Sequence, residues 1–290
     1  IDDSPLTNEE LSNFGYSFQP TNWNGVYDGL ITPREAIMYS KNITSLKVVY
    51  NLGLSTALEY GKKSGLIYNS ESSKSIATLA LGEFNNDPSD RDGGNTTILA
   101  SAYGSFGNKG IRTEAILYTK VIDSTGKVIL DKTADTTKLF SEETAYIMYD
   151  ILKGPVTGFD AGGAKFGDIP VAGKSGTTDN SDSFWFSGLT PYYSASVWIG
   201  YDMPTKLNGY SSSAASLWGD VMGVVHQGLS YKEIEKPSTV VTATVCRDSG
   251  KLATDLCAQD QRGSRVRTEY FIEGTQPTTA CDVHVTAKVN

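Results

Sequence analysis

The chain has few of the residues on which many enzymatic sites depend. Its 290 residues include two histidines and three cysteines. Most hydrolytic triads and most catalytic zinc sites need well-placed imidazoles, so this scarcity argues against both. The net charge of -8 and the sequence pI near 4.9 indicate no basic surface for phosphates, which argues against nucleic acid as a partner. If the chain is an enzyme, its proton transfers are therefore expected to use lysine, serine and carboxylates.

Long apolar runs are also absent. No stretch of the sequence reaches the roughly 18 apolar residues of a membrane-spanning helix. The chain begins at Ile1 without the basic start and apolar stretch of a signal peptide. Such a start is typical of a fragment or a processed product, so we expect a longer parent protein. Any membrane anchor is expected in its missing N-terminal part.

The remaining composition, with 39% hydrophobic and 20% charged residues, is that of a folded protein. Apolar periodicity and turn residues predict alternating helices and strands. Thr32 and Glu35 predict a capping box at the start of a helix, with Pro33 at its first position. Helices are predicted from Pro33 to about Tyr39, from the break at 40–42 to near Gly53, from Ser55 onward, from about Thr97 to Phe106, from Ser141 to Lys153 and from about Ser213 to Leu229. Strands are predicted over 115–122 and 127–130 as a hairpin, and over 169–178, 183–189 and 193–201; residues 66–95 are expected to be a long surface excursion. These elements favour an α/β (α+β) fold with a central antiparallel sheet covered by helices on both sides, followed by a small β-rich tail.

Two short motifs could carry chemistry. Ser40, Lys41 and Asn42 lie at a break between two helices, and the run KSGTT, residues 174–178, lies in an otherwise apolar strand. A lysine in such a strand costs stability unless its ammonium has partners. Strand alternation puts Ser175 and Thr177 on one face, where two hydroxyls beside a cation could hold a carboxylate. Gly173 and Gly176 would let an extended peptide approach the strand closely.

The order of these motifs and their flanks give the chain a specific resemblance. After the second motif come the runs DSFWFSG (182–188) and VWIGYD (197–202), and Ala102–Phe106 precedes the hairpin. Nearly the whole chain resembles the transpeptidase domain of class A penicillin-binding proteins, whose motifs are S-x-x-K, S-D-N and K-T-G. The resemblance implies the penicillin-recognising serine transferase/β-lactamase-like fold. It implies a transpeptidase domain over 1–235 and a cysteine-containing module over 236–290.

Two departures from the family pattern stand out. Ser175 replaces the usual threonine of the third motif and keeps its hydroxyl, so function is expected to survive. The only S-x-x-K match, Ser124 to Lys127, falls in a predicted hairpin turn and follows the second motif. The family places its nucleophile before that motif and at a helix start. The nucleophilic serine is therefore expected upstream of Ile1, and this segment alone is expected to be inactive.

The resemblance also implies a mechanism and its residues. An upstream serine would attack a D-Ala-D-Ala stem peptide, and an amine of a neighbouring stem peptide would take the acyl group. Ser40 would relay a proton, Lys174 would polarise its hydroxyl, and Asn42 would orient the upstream lysine. Ser175, Gly176, Thr177 and Thr178 would bind substrate, with the Thr177 N–H in the oxyanion hole. β-Lactams would be inhibitors, and no cofactor is expected. Other cell-wall synthesis proteins are possible partners. The location would be the extracellular face of the bacterial cytoplasmic membrane.

Other interpretations remain open on the residues alone. Ser40 could simply cap the following helix, Lys174 could be an edge-strand charge, and Lys41 is expected to be solvated. A D,D-carboxypeptidase, a β-lactamase-like hydrolase or a non-catalytic peptidoglycan-binding module are the alternative functions. No catalytic metal is predicted. A disulfide between one pair of cysteines, which Cys246 and Cys257 could form, is the main expectation for the tail. The alternative there is a zinc site of Cys246, Cys257, Cys281 and His284.

Overall fold

The computed structural model describes residues 1–84, 89–210 and 212–285. The chain divides into two compact units. One comprises residues 1–57, 71–83 and 236–290, and the other residues 58–70 and 84–235. The predicted boundary at residue 235 stays a prediction.

The elements alternate along the chain. The helices are α1 (Asn8–Phe14), α2 (Pro33–Met38), α3 (Asn42–Leu52), α4 (Leu54–Lys63), α5 (Ile76–Leu81), α6 (Thr96–Gly107), α7 (Glu142–Gly158), α8 (Ser212–Val225) and α9 (Asp255–Ala258). The strands are β1 (Asp2–Asp3), β2 (Gly29–Leu30), β3 (Ile111–Thr113), β4 (Lys120–Ile122), β5 (Val128–Asp131), β6 (Thr136–Lys138), β7 (Ala172–Thr177), β8 (Ser183–Leu189), β9 (Ser194–Gly200), β10 (Val240–Cys246) and β11 (Val266–Ile272). The predicted helices and the three consecutive strands are confirmed, and so is the hairpin, although its first strand begins at Lys120.

Two helical segments differ from the prediction. Helix α7 continues past Lys153 to Gly158, because the buried Pro155 and Val156 pack in the interior despite the backbone hydrogen bond that proline removes. Residues 66–95 are not wholly irregular, since they contain α5. The Ser75 hydroxyl caps this helix by accepting from the N–H of Thr78, and Gly82 ends it with a left-handed φ of 78°.

The unit of residues 58–70 and 84–235 is built on an antiparallel sheet in the order β7-β8-β9. Side chains alternate along β8, so Phe184 and Phe186 face one side, where they pack with Trp218 of α8. Leu189 faces the other side, against α6 at Gly107. The sheet therefore carries helices on both faces, as predicted. Among the described strands, β7 is hydrogen-bonded only to β8 and forms an edge.

The unit of residues 1–57, 71–83 and 236–290 has its own core. Its buried apolar side chains come from α1, α3 and α5 and include Phe14, Ile43 and Ile76. Helix α2 begins as predicted with a capping box, in which the Thr32 N–H donates to Glu35 Oε2 at 3.0 Å. Strands β10 and β11 pair antiparallel over their full length.

Candidate active site

Strand β7 positions the second motif at the edge of the sheet. Its register with β8 is regular from Ala172 to Thr177. A Cβ at Gly173 would lie 2.7 Å from the Ser187 carbonyl oxygen, and one at Gly176 would lie 3.3 Å from the Trp185 Cβ. Both glycines therefore serve close contact with β8, and for Gly173 this packing, not access for a peptide, is the physical reason for glycine.

The Lys174 ammonium is turned back onto its own strand. Its Nζ lies 3.0 Å from the Ser175 carbonyl oxygen and 3.3 Å from Ser175 Oγ, and the side chain is half-buried. Burial lowers the pKa of Lys174, and the negative charge of Asp160 opposes this shift. An ammonium held in this way is not the solvated charge that would merely protect a sheet edge.

Asp160 completes this network, and the sequence pattern gave no indication of it. The Ser175 hydroxyl donates to Asp160 Oδ2 at 2.5 Å, so cation, hydroxyl and carboxylate form one chain. Asp160 Oδ1 is buried and has no hydrogen-bond partner among the described residues. An unpaired buried polar atom costs about 1–3 kcal/mol, and such a cost is common at functional sites. Asp160 follows α7 in a short loop, where no periodic signal exists.

Thr177, the last residue of β7, and Thr178, which follows it, have different surroundings. The Thr178 hydroxyl lies 2.5 Å from Asp182 Oδ1 and accepts from the Asp182 N–H at 3.1 Å, so it is used by the turn. The Thr178 N–H donates to the Ser183 carbonyl at 3.3 Å. Because backbone donors alternate in direction along a strand, the N–H of Thr177 points away from β8 and toward the open edge. Thr177 is also exposed.

Ser40 and Asn42 lie in the other unit, at the junction between α2 and α3. Ser40 has a left-handed φ of 54°, which is uncommon for a residue with a side chain and stores strain. The N-cap of α3 is Lys41, and no side chain caps this helix, so Ser40 is not a helix cap. Asn42 Nδ2 donates to the Thr21 carbonyl at 3.2 Å. The Ser40 hydroxyl therefore does not cap α3.

Lys41 lies between Ser40 and Asn42, and the prediction that it is solvated is wrong. Its side chain is 2% exposed, and its Nζ lies 2.5 Å from Asp28 Oδ2 and 3.4 Å from Asp3 Oδ2. It also donates to the Val26 carbonyl at 3.2 Å. The long-range partners explain the error, because ion pairs between distant residues leave no local pattern. The Lys41 ammonium anchors the junction on which Ser40 and Asn42 stand.

The other predicted features have separate positions. Ser124 to Lys127 lie at the turn of the β4–β5 hairpin, which confirms that this S-x-x-K match lacks a helical setting. All three cysteines are within the described residues and are buried free thiols there, which contradicts the disulfide expected in the tail, whether between Cys246 and Cys257 or another pair. In the part of the chain that is described, no helix is both long and apolar enough to cross a bilayer.

Comparison with known families assigns the chain to a class. Residues 6–223 match the penicillin-binding protein transpeptidase domain, and residues 236–286 match the C-terminal domain of penicillin-binding protein 1A. The chain belongs to the penicillin-binding protein transpeptidase family. It is 51% identical over its whole length to penicillin-binding protein 1A of Clostridium perfringens, and it covers 35% of that protein. The chain thus spans about a third of the curated relatives it matches.

Solved structures give the same fold. Penicillin-binding protein 1A from Haemophilus influenzae superposes with a TM-score of 0.74 at 20% identity, over 97% of this chain and 45% of that one. PonA1 from Mycobacterium tuberculosis, solved in complex with penicillin V, gives a TM-score of 0.64 at 23% identity, over 82% of this chain and 66% of that one. The penicillin-recognising fold predicted from the sequence is confirmed.

Proposed function

We propose that this chain is the main part of a D,D-transpeptidase domain that cross-links peptidoglycan stem peptides. The reaction is acyl transfer through a serine acyl-enzyme, from a D-Ala-D-Ala donor to an amine acceptor. β-Lactams inhibit it by acylating the same serine. The observation that carries this proposal is the Lys174–Ser175–Asp160 network at the open edge of β7, in a chain that matches the transpeptidase family.

The open edge of β7 suits an extended peptide with a terminal carboxylate. The Lys174 charge and the hydroxyls of Ser175 and Thr177 supply the carboxylate site. To bind substrate, the Ser175 hydroxyl turns from Asp160 toward the ligand. The outward N–H of Thr177 supplies one donor of the oxyanion hole, where losing a donor costs roughly 3 to 4 kcal/mol. Gly176 and Thr178 support this surface by close strand packing and by the following turn.

Ser40 and Asn42 serve the same reaction in this proposal. Ser40 relays the proton to the leaving amine, and Asn42 orients the upstream lysine and the donor peptide's amide. The strained backbone of Ser40 and its freedom from capping support an active role. If Ser40 and Lys174 act on one proton path, the acylation rates of Ser40→Ala and Lys174→Met are non-additive in the double variant. Simple multiplication of the two losses would argue that they act separately.

The nucleophile is a serine upstream of Ile1. Its absence from this chain is supported by the position of Ser124, which lies in a hairpin turn with an exposed surface. A fluorescent penicillin tests this on the full-length protein and on the 290-residue chain. We expect covalent labelling of an upstream serine in the first, mapped by peptide mass spectrometry, and none in the second. Label on Ser124, or no label on the full-length protein, would overturn the proposal.

The fate of the acyl-enzyme separates transfer from hydrolysis. With a stem pentapeptide and a D-amino acid acceptor, a transpeptidase releases D-Ala and forms the exchanged product. A carboxypeptidase or β-lactamase-like enzyme would release D-Ala or open penicillin rapidly without that product, and a binding module would do neither. The proposed setting is the extracellular face of the bacterial cytoplasmic membrane, where the stem peptides lie.

A further inference from the structure

Four side chains that can bind metal converge in the unit that contains residues 236–290. Cys246, Cys257, Cys281 and His284 each offer one ligand atom, and these atoms all lie within 4.8 Å of one another. His284 Nδ1 lies 3.4 Å from Cys246 Sγ and 3.5 Å from Cys281 Sγ. In a tetrahedral zinc site with bonds of about 2.3 Å to sulfur and about 2.0 Å to nitrogen, the sulfur and nitrogen are also about 3.5 Å apart.

The backbone holds each cysteine in place from a different segment. Cys246 ends β10, and its carbonyl accepts from the Gly250 N–H at 2.8 Å. Cys257 lies in α9, and its carbonyl accepts from the Arg265 N–H at 2.8 Å. The Cys281 N–H donates to the Leu252 carbonyl at 2.8 Å. Backbone hydrogen bonds in three separate segments thus bring the three sulfurs together without a bound metal ion.

The orientation of His284 is that of a metal ligand. Its Nε2 lies 2.8 Å from Asp260 Oδ2 and 3.3 Å from Asp248 Oδ2. Because a carboxylate accepts, Nε2 carries a hydrogen, and in the neutral imidazole that binds a metal the lone pair is then on Nδ1, which faces the sulfurs. A carboxylate behind the imidazole is the usual support of a metal-bound histidine.

The two carboxylates are not the ligands themselves. Asp248 receives hydrogen bonds from Arg265 at 2.6 Å and from Arg262 at 2.6 Å, and Arg262 also bonds Asp260 at 2.9 Å. Their charge is therefore already balanced by guanidinium groups. The ligand set is three soft sulfurs and one imidazole, which suits zinc better than the hard cations that prefer oxygen.

The surroundings give such a site a structural purpose. The buried apolar cluster here consists of the three cysteines, with Ala253 and Val266 packed against it. This is too little apolar surface to hold the segments firmly, and small modules often use a metal for that purpose. A disulfide would use two sulfurs and leave the third thiol and the oriented His284 without a role.

We propose that Cys246, Cys257, Cys281 and His284 bind one Zn²⁺ ion in a closed, tetrahedral Cys₃His site that holds the C-terminal module together. The three thiols and the imidazole fill all four positions, so the site has no open position for catalysis. Asp260 is a positioning residue that orients the imidazole from behind.

Metal analysis of the full-length protein tests this proposal. We purify it in reducing buffer without chelator, incubate it with Zn²⁺, remove unbound metal and measure zinc by mass spectrometry. The unaltered protein is expected to hold about one zinc per chain more than the Cys257→Ser/Cys281→Ser variant. Asp282→Asn is the matched control, because Asp282 is next to Cys281 but pairs with Lys251, and this variant is expected to keep the zinc.

Measurements on the unaltered protein keep the test decisive if the cysteine variant fails to fold. Co²⁺ in place of Zn²⁺ is expected to give a sulfur-to-cobalt charge-transfer band and the strong visible bands of tetrahedral coordination. Asp260→Asn is expected to weaken zinc binding about 10- to 100-fold. The proposal is overturned if the unaltered protein holds no zinc and all three thiols react freely, or if its mass shows a disulfide.

Discussion

Two lysines in different units, the buried Lys41 and the half-buried Lys174, show how the surroundings of a cation determine its role. Lys41 meets two carboxylates directly, at 2.5 Å and 3.4 Å. Lys174 meets a carbonyl and a hydroxyl, and reaches the carboxylate of Asp160 only through Ser175. Both lie in the motifs that the sequence singled out. Lys41 forms ion pairs with these carboxylates, and burial lowers the pKa of Lys174.

The difference distinguishes a structural charge, Lys41, from the charge to which we assign a catalytic function, Lys174. A buried ion pair with good geometry anchors the chain, and breaking it leaves an unpaired charge inside the protein. A buried ammonium without a direct counter-ion costs stability and is available to a substrate carboxylate. Substitutions at and around the two lysines should therefore affect different measurements.

Lys174→Met should give the largest effect, and it should be on chemistry. Removing the charge should slow acylation by a fluorescent penicillin about 10²- to 10⁴-fold in the full-length protein, the range typical of lost proton-transfer groups. The melting temperature should change little, because the substitution also removes the cost of burying the ammonium. Lys165→Met, at an exposed lysine close in sequence, is the control and should acylate normally. If Lys174→Met is acylated at the normal rate, Lys174 lacks the role in acylation that distinguishes it from Lys41.

Lys41→Met should act on stability instead. The substitution leaves the buried Asp3 carboxylate without its cation, which should cost about 3–5 kcal/mol of unfolding free energy. Urea unfolding followed by tryptophan fluorescence measures this loss. In the double variant Lys41→Met/Asp3→Asn, part of the stability should return, since the unpaired charge is gone. A stable Lys41→Met protein would show that the junction does not depend on the ion pair.

Asp160→Asn should have an intermediate effect and shift a pH profile. Asp160 raises the pKa of Lys174, so removing its charge lowers that pKa further. Acylation that needs the ammonium should then fall off at lower pH on the alkaline side of the profile. At neutral pH the rate should drop about fivefold, or about 1 kcal/mol, as for partners in one network. If the alkaline side of the pH profile of acylation is the same in Asp160→Asn, Asp160 is not a positioning residue for Lys174.

Ser175→Thr should give the smallest effect. It restores the methyl group of the usual K-T-G motif and keeps the hydroxyl that bonds Asp160 and Lys174. Acylation should stay within about threefold of the unaltered protein, as for other changes of one methyl group that cost less than about 1 kcal/mol. Ser175→Ala is the comparison, and it should acylate more slowly because the network loses its central hydroxyl. Equal rates for threonine and alanine would remove Ser175 from the site.

The sequence predicted the features that depend on local patterns. The Thr32–Glu35 capping box, the turn after Asp123 and the strand around Lys174 are each encoded by neighbouring residues, and the structure has all three. The partners of Lys41 and the position of Asp160 could not be predicted, because they come from residues distant in sequence or in an irregular loop. The convergence of three cysteines with His284 is of the same kind. Spacing gave the candidates, and only the fold brings their ligand atoms together.

The close packing at Gly173 limits which amino-acid substitutions strand β7 can accept during evolution. Any side chain there would collide with Phe186 and the Ser187 carbonyl of β8. Gly173, which directly precedes Lys174, therefore cannot be replaced without separating β7 from β8. We expect inherited substitutions that alter the response to β-lactams at the exposed end of β7 instead, around Thr177, where a new side chain has room.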